Sequence, residues 1–309
     1  MLSFVIISYI YSCTSPSPVP KDTRLKLIID ADTANEVDDL YAIVRAIVEP
    51  SINLLGITSA QFHISPLASD TSVLESQSMN HDIIRLMNRS DIPLPIGSNY
   101  AMSAPNLPSR SQASKFIIDQ AQQLDDNEIL HIAILGSCTN VASAIVQEPS
   151  IIPKLVVHYI GFWHDVETNT YDKKEFNSGN DTIAVDVLLD TEGLDLNVMT
   201  ATTCQHLVLN KAEVDQHLSD KNDISNYMIN RWETFDRWWT KEDIQKEHWI
   251  MWDLAIIEAL IHPHLAVKET FTTPPENIKR YIEIYTSIEV DGMKKDFWKS
   301  IDRLNNTLE

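Results

Sequence analysis

Residues 25–39 read LKLIIDADTANEVDD, an apolar run that passes directly into five acidic residues within ten positions. The apolar part, residues 25–29, is short and aliphatic, which is typical of a buried strand. The pattern of residues 39–48 indicates the helix packed behind that strand. Ligands of open parallel sheets bind beyond the carboxyl ends of the strands, so the acidic run is predicted to lie at a site.

The sequence after this stretch alternates short apolar runs with amphipathic ones, which predicts repeated strand–helix units. Further strands are predicted at residues 52–59, 130–135, 154–160 and 196–199, and helices at residues 69–87, 139–146, 181–189, 223–239 and 249–261. A hairpin is predicted over residues 281–290, turned by Asp291-Gly292. Together they predict one α/β domain with a Rossmann-like core, an open and mostly parallel sheet flanked by helices.

The chain is strongly acidic. It has 24 Lys and Arg against 44 Asp and Glu, a formal net charge of −20, and no basic run offsets this charge. Such a surface repels phosphate backbones, so nucleic acid and nucleotides with several phosphates are poor candidate ligands. Solubility accounts for most of the acidity, and only the clustering of acids is informative.

The N-terminal residues 1–23 differ in composition from the rest. Residues 1–10, MLSFVIISYI, are apolar, and a Pro/Ser-rich stretch follows. This pattern predicts an export signal and a flexible tether, with Cys13 as the candidate lipid-anchor site and the folded domain spanning residues 24–309. No Lys or Arg precedes the apolar run, so a cytoplasmic extension is the alternative. The other cysteines, Cys138 and Cys204, are predicted to be buried thiols.

The acidic cluster itself indicates a cation. Crowded carboxylates are costly unless a cation neutralises them, and oxygen-only ligands favour calcium or magnesium over zinc or copper. Helix capping explains Asp38 or Asp39, but not Asp30 and Asp32 at the end of an apolar strand. The spacing of the acids excludes an EF-hand loop.

The segment IIDADTANEVDDLYAIV, residues 28–44, resembles the opening signature of the inosine/uridine-preferring nucleoside hydrolase family, in its variant with a longer loop before the double aspartate. Further matching segments follow in the order of that family over nearly all of residues 25–265: LGITS (55–59), GSCTNVA (136–142), EFN (175–177) and WDLA (252–255). The resemblance implies the fold of that family. It also implies hydrolysis of the N-glycosidic bond of ribonucleosides with one calcium ion.

The resemblance also implies a set of metal ligands. It assigns calcium to the carboxylates of Asp32, Asp39 and Asp253 and to the backbone carbonyl of Thr139. Asp32 is in addition the expected general base, which takes a proton from the attacking water. Asp38 is expected to bind a ribose hydroxyl.

Four more residues are expected at the sugar. Glu175 and Asn177 of the EFN segment correspond to the residues that grip the ribose hydroxyls, and Asn169 lies at the right distance upstream for a third contact. His63 stands where the family usually has a ribose-binding asparagine. An imidazole can donate or accept a hydrogen bond, so His63 is retained as a candidate substrate contact.

The leaving base is expected to lie near Trp252. Many family members have a histidine before the last aspartate, and the tryptophan here is similar to the purine-specific branch, in which aromatic stacking activates the base. His248 is the candidate proton donor. Four other tryptophans nearby either build the base pocket or a lid, or belong to the core: Trp232, Trp238, Trp239 and Trp249.

Two other functions fit parts of the sequence. Asp30-Ala31-Asp32-Thr33 after a strand matches a phosphatase of the haloacid-dehalogenase type, and Gly179-Asn180-Asp181 followed by Asp186 loosely resembles its late magnesium motif. The second alternative is an exported protein that binds nucleosides or ribose without turnover. The resemblance further suggests a homo-oligomer, by analogy alone.

Overall fold

The structure is a computed structural model that describes residues 22–308. Nearly all of the predicted signal and tether, with Cys13, therefore lies outside the described residues, and export and lipidation stay predictions. Within the described range, no helix combines the length and the apolarity that a membrane span requires.

Eleven strands form one large sheet and two small ones within residues 22–308. In chain order the strands are β1 (Leu25–Ala31), β2 (Ile52–Ser59), β3 (Leu130–Ile134), β4 (Leu155–Gly161), β5 (Trp163–Asp165), β6 (Thr170–Asp172), β7 (Asp195–Thr200), β8 (Val208–Asn210), β9 (His248–Ile250), β10 (Ala266–Thr272) and β11 (Tyr281–Ile288). The large sheet has the order β10-β11-β7-β4-β3-β1-β2, and β5-β6 and β8-β9 are separate two-stranded sheets.

Helices cover both faces of the large sheet. In chain order they are α1 (Asp38–Ile47), α2 (Ser72–Leu86), α3 (Gln112–Gln123), α4 (Thr139–Gln147), α5 (Phe176–Asn180), α6 (Thr182–Asp190), α7 (Ala201–Cys204), α8 (Lys211–Leu218), α9 (Asp223–Thr234), α10 (Trp252–Ile261) and α11 (Val290–Leu308). Short 3₁₀ turns lie at Pro149–Lys154 and Pro263–Leu265.

The large sheet is parallel except for its edge strand β10, which pairs antiparallel with β11. Successive side chains of β1 enter opposite cores: Leu27 and Ile29 pack with α1 and α10, whereas Ile28 packs with α3, α4 and α6. A strand buried on both faces needs a continuous aliphatic sequence, which explains LKLII. The result is one domain of three layers, helix, sheet and helix.

The order of the strands in the large sheet indicates where a ligand would bind. From β1 the chain adds β2 on one side and β3 on the other, so the strand order reverses next to β1. Parallel sheets bind ligands at such a reversal, beyond the carboxyl ends of the strands. The acidic residues after β1 and the turn after β3 therefore meet at one edge.

Most of the predicted elements are confirmed, but the helix predicted over residues 223–239 ends at Thr234, and the helix predicted over residues 249–261 begins only at Trp252, after β9. The prediction for residues 281–292 is wrong. The five predicted strands correspond to β1, β2, β3, β4 and β7. The predicted hairpin does not exist, because β11 pairs with the preceding strand β10 and Asp291-Gly292 lies in the first turn of α11. Cys138 and Cys204 are buried free thiols, as expected.

Candidate active site

A cavity of about 180 Å³ opens at the carboxyl ends of β1, β3, β4 and β7. One wall is acidic, a second combines two polar residues with residues at the carboxyl ends of β3, β4 and β7, and the third is aromatic. The lining residues are Asp32, Asn35, Glu36, Asp38, Asp39, Asp253; Glu175, Asn177, Leu135, Ile160, Ala201; and Trp163, Phe176, Trp238, Trp239, Trp252.

The acidic wall joins two distant parts of the chain. Asp38 and Asp39 begin α1, and Asp253 lies in the first turn of α10. Asp38 Oδ2 accepts a hydrogen bond from the backbone N–H of Asp253 at 3.0 Å. One carboxylate oxygen from each of these three residues lies within 4.8 Å of the others. The two helix N-termini thus bring the carboxylates together, and the helix dipoles favour negative charge there.

Several oxygens of this wall are buried without a partner. Asp32 Oδ2, Asn35 Oδ1 and Asp39 Oδ1 accept no hydrogen bond from any of residues 22–308. Burial, reinforced by neighbouring carboxylates, holds the pKa of Asp32, Asp39 and Asp253 well above the usual aspartate range. Burial raises the pKa of Asp38 to about 6. Without a cation, this cluster is therefore under electrostatic strain.

Gly136 lets Asp32 reach the cavity. Gly136 follows Leu135 just after β3, and a Cβ built on it would lie 2.8 Å from Asp32 Cγ. A side chain there would displace the carboxylate, so the glycine of the GSCTNVA segment has a steric reason. Asp30, by contrast, lies behind the wall, where Thr58 and Asn140 donate to its Oδ1 at 2.6 and 2.9 Å.

The loop between β1 and α1 is anchored by residues that the sequence did not indicate. Arg231 of α9 donates from Nε to the Glu36 carbonyl at 2.9 Å and from Nη2 to the Ala34 carbonyl. The Glu36 carboxylate lines the cavity and accepts a hydrogen bond from Trp249 Nε1 at 3.2 Å. No local sequence pattern indicates that an arginine side chain will bind main-chain oxygens almost 200 positions away.

The polar wall is rigidly built around the EFN segment. Glu175 caps α5 and accepts hydrogen bonds from the backbone N–H groups of Asn177, Ser178 and Phe162. Asn177 donates from Nδ2 to the carbonyls of Leu135 at 2.8 Å and Ile160 at 3.2 Å. Its Oδ1 is not used by those bonds. Asn177 is thus fixed between the ends of β3 and β4.

The aromatic wall is formed by residues from four segments of the chain. Trp252 precedes Asp253 and meets Trp163 edge-to-face, with ring centroids 6.1 Å apart. Trp238 and Trp239 follow α9 and are 39% and 40% exposed. A planar ring of a ligand can stack against such a wall, and its edge remains open to solvent.

Two predicted residues lie away from the cavity because of the local secondary structure. Thr139 begins α4, and its hydroxyl donates to Asp181 Oδ2 at 2.7 Å. The residue near this turn that lines the cavity is instead Leu135, which directly follows β3 and whose carbonyl accepts a hydrogen bond from Asn177 Nδ2. His248 is exposed on β9, whereas the next residue, Trp249, is buried, as alternation along a strand requires.

Two predicted sugar contacts are also directed elsewhere. His63 is exposed, stacks on Tyr100 and hydrogen-bonds the carbonyl of Asn99 through Nε2. Asn169, at a φ of 50°, lies in the β5–β6 turn and pairs with His164 at 2.9 Å and with the Thr272 hydroxyl at 3.1 Å. The structure therefore brings together Asp32, Asp38, Asp39, Asp253, Glu175, Asn177 and Trp252, but not these two or Thr139 and His248.

The acidic wall fits a hard divalent cation. Its donors are all oxygens, several are buried and unpartnered, and no Lys or Arg side chain lines the cavity among the described residues. Calcium takes six to eight oxygen ligands in flexible geometry, so carboxylates, the Asn35 amide and main-chain oxygens suit it.

Comparisons with known proteins give a consistent result. The family model described as inosine-uridine preferring nucleoside hydrolase matches residues 27–299. An uncharacterized Schizosaccharomyces pombe protein is 27% identical over 191 residues, 54% of this chain and only 58% of that protein. A "probable uridine nucleosidase 1" of Oryza sativa subsp. japonica is 24% identical over 260 residues, 78% of either chain. A solved plant nucleoside hydrolase has a TM-score of 0.71 at 15% identity over 90% of this chain and 99% of its own, which shows a shared fold.

Proposed function

Since this chain belongs to the inosine-uridine preferring nucleoside hydrolase family, we propose that its cavity binds a ribonucleoside and hydrolyses the N-glycosidic bond to give ribose and a free base. The observation that carries the proposal is the arrangement of the cavity. A buried, uncompensated carboxylate wall stands against the Glu175–Asn177 wall, with tryptophans beside both.

We assign one calcium ion to the carboxylates of Asp32, Asp39 and Asp253. The Leu135 carbonyl replaces that of Thr139 in this proposal, because Leu135 lines the cavity and Thr139 does not. When bound, calcium would make a water more acidic and hold the ribose hydroxyls. The unpaired oxygens of Asp32 and Asp39 support this assignment.

Asp32 is the proposed general base. Its Oδ2 is free of hydrogen bonds within residues 22–308 and is therefore available to accept a proton from the attacking water. The bond then forms between that water and the anomeric carbon.

The other carboxylates stabilise the reacting sugar. As the glycosidic bond to the nucleobase breaks, positive charge develops on the ribose ring, and nearby negative groups lower the energy of that state. Asp38 also accepts a hydrogen bond from a ribose hydroxyl in this proposal. Asn177 Oδ1 is placed to accept another, because its amide nitrogen is already held by two carbonyls.

The aromatic wall is the proposed base site. A base stacked on Trp252 would be flanked by Trp163 and faced by Trp238 and Trp239. A bicyclic base gains more contact area on such a wall than a monocyclic one, so we propose a preference for purines. Because His248 lies outside the cavity, solvent at the open edge is the proposed proton source for the leaving base.

The test is release of reducing sugar from inosine, guanosine, adenosine and uridine by the full chain, with calcium and with chelator. We expect ribose release that chelator abolishes and calcium restores. Turnover of p-nitrophenyl phosphate without nucleoside cleavage would favour the phosphatase. Tight nucleoside binding without ribose release would favour the alternative of a protein that binds nucleosides without turnover. Export and oligomer formation stay predictions from the sequence.

A further inference from the structure

A second charged cluster lies at the far ends of the helices that build the acidic wall. Helix α1 carries Arg45 seven residues after Asp38, and α10 carries Glu258 five residues after Asp253. At 1.5 Å per residue these steps are roughly 11 and 8 Å along the helices. The cluster is therefore separate from the cavity but shares both of its helices.

Arg45 is the centre of this cluster and is completely buried. Its guanidinium donates to Glu258 Oε1 at 2.7 Å, to Glu49 Oε2 at 2.8 Å and to Asp296 Oδ2 of α11. His262, at the carboxyl end of α10, places Nε2 at 3.0 Å from the same oxygen of Asp296.

The cluster has more negative than positive charge. Three carboxylates face one guanidinium, so with a neutral His262 the net charge is −2. Glu258 is fully buried, and its Oε2 accepts no hydrogen bond from the described part of the chain. Burial outweighs the attraction of Arg45 and raises the pKa of Glu258 to about 7. Arg45 thus compensates only part of the charge.

We propose that Glu258, His262 and Asp296 form a second metal site, which takes a borderline divalent cation such as zinc. One carboxylate oxygen of Glu258, one of Asp296 and a ring nitrogen of His262 lie within 4.8 Å of one another. Glu258 and His262 are four residues apart, which places both on one face at the end of α10.

The donor set selects zinc over calcium. Imidazole nitrogen with carboxylate oxygens suits zinc, whereas calcium takes oxygen ligands only. Zinc–ligand distances of about 2.1 Å place tetrahedral donors about 3.4 Å apart. That spacing lies between the 3.0 Å that separates His262 Nε2 from Asp296 Oδ2 and the 4.8 Å within which all three donors lie. The side chains of His262 and Asp296 are 33% and 24% exposed, which gives them room to move and gives the ion access.

Zinc would change few existing contacts. It would replace the hydrogen bond between His262 Nε2 and Asp296 and use the unpartnered Oε2 of Glu258, while Arg45 kept Oε1. It would also supply the missing +2 charge. By tying α10 to α11, it would stabilise the helix whose first turn carries Asp253. The proposal does not depend on the reaction at the cavity.

The test is equilibrium dialysis of the full chain against zinc in excess calcium, which fills the oxygen-only site. Zinc is then counted by atomic absorption for wild type, His262→Gln and His264→Gln. His264 is the matched control, because its ring lies 5.6 Å from that of His262 outside the proposed ligand set. We expect about one zinc per chain in wild type and His264→Gln, and at least tenfold weaker binding in His262→Gln.

A second measurement guards against a folding defect in the variant. Thermal unfolding without zinc is expected to be the same for His262→Gln and wild type, and zinc should raise the Tm of wild type and of His264→Gln but not that of His262→Gln. No zinc on wild type, equal binding by all three proteins, or equal loss from both variants would overturn the site.

Discussion

Helices α1 and α10 run side by side, and the buried carboxylates at their two ends differ in whether a cationic side chain lies among them. At the cavity end, Asp38, Asp39 and Asp253 lie together with no Lys or Arg side chain on the cavity lining among the described residues. At the other end, Arg45 lies against Glu258 at 2.7 Å, with both side chains completely buried. The fold places a buried cation, Arg45, among the carboxylates at one end and places none at the other.

This difference separates stability from function. A buried pair that loses one partner leaves an uncompensated charge and destabilises the fold. A cluster that is already uncompensated loses strain when one of its carboxylates is removed. Substitutions at the cavity end should therefore lower activity without lowering stability, whereas substitution of Arg45 at the other end should lower stability. The following predictions are ordered by expected effect.

The largest effect is expected for Asp32→Ala at the cavity end. Removal of the proposed base should lower kcat by about 10³- to 10⁴-fold, or roughly 4–5.5 kcal/mol in the barrier. Stability should be equal or higher, because one buried like charge is gone. Reducing-sugar assays and urea unfolding of the same preparation measure both. Unchanged kcat would refute the assigned role.

At the end that holds Arg45, the variant Arg45→Met should unfold far more easily than wild type. Glu258 would be left buried without its cation, at a cost of about 3–5 kcal/mol in the free energy of unfolding. The control is Lys115→Met, whose pair with Asp119 is exposed and should change the free energy of unfolding by less than about 1 kcal/mol. Equal urea midpoints for the two variants would contradict the contrast.

The cavity end should also respond to pH when calcium is removed. Asp38 has a folded pKa of about 6 against an ordinary value of 3.8. The folded state therefore binds the proton more tightly, and this contribution is fully present below pH 3.8. It is lost as the pH rises through 6. The expected loss is on the order of 2–3 kcal/mol.

The measurement is urea unfolding at pH 4 and pH 7 in chelator, for wild type and Asp38→Asn. The amide keeps an acceptor for the Asp253 N–H but cannot titrate. Wild type should lose more stability than Asp38→Asn between the two pH values, and calcium should remove most of the difference. Identical pH profiles for the two proteins would show that Asp38 is not strained.

The smallest effect is expected for Trp252→Ala, at the first residue of α10. Loss of stacking should cost about 1 kcal/mol in kcat/KM with inosine and less with uridine. His248→Gln is the matched control and should leave both values unchanged, because His248 is exposed outside the cavity. Equal losses for the two nucleosides in Trp252→Ala would argue against stacking. A defect in His248→Gln would restore that residue as a candidate acid.

The fold was largely predictable because its signals are local. The aliphatic run of β1 and the alternation of strands and helices follow from burial on both faces of a parallel sheet. The failure at Asp291-Gly292 has the same origin. That dipeptide is also compatible with the start of a helix. The strand partner of β11 is β10, which precedes β11 in the chain, and not a segment that follows Asp291-Gly292.

The site was predictable where it rests on carboxylates close to a strand end, as at Asp32, Asp38 and Asp39. It was not predictable where a single turn decides whether a side chain faces the cavity. His63 and Asn169 stand at plausible positions in the sequence, yet their loops direct them to Tyr100 and Thr272. The roles of Leu135 and Arg231 depend on main-chain carbonyls, which are independent of residue type.

The sequence alone determined the fold class, the acidic cluster and the family, because burial patterns and charge spacing are properties of neighbouring residues. Only the tertiary structure decided two other meetings of distant groups: Arg231 with the acidic loop, and Arg45 with Glu258 and Asp296. Those contacts link residues about 200 or more positions apart. They follow from the packing of whole helices on the sheet, which no local pattern of residues encodes.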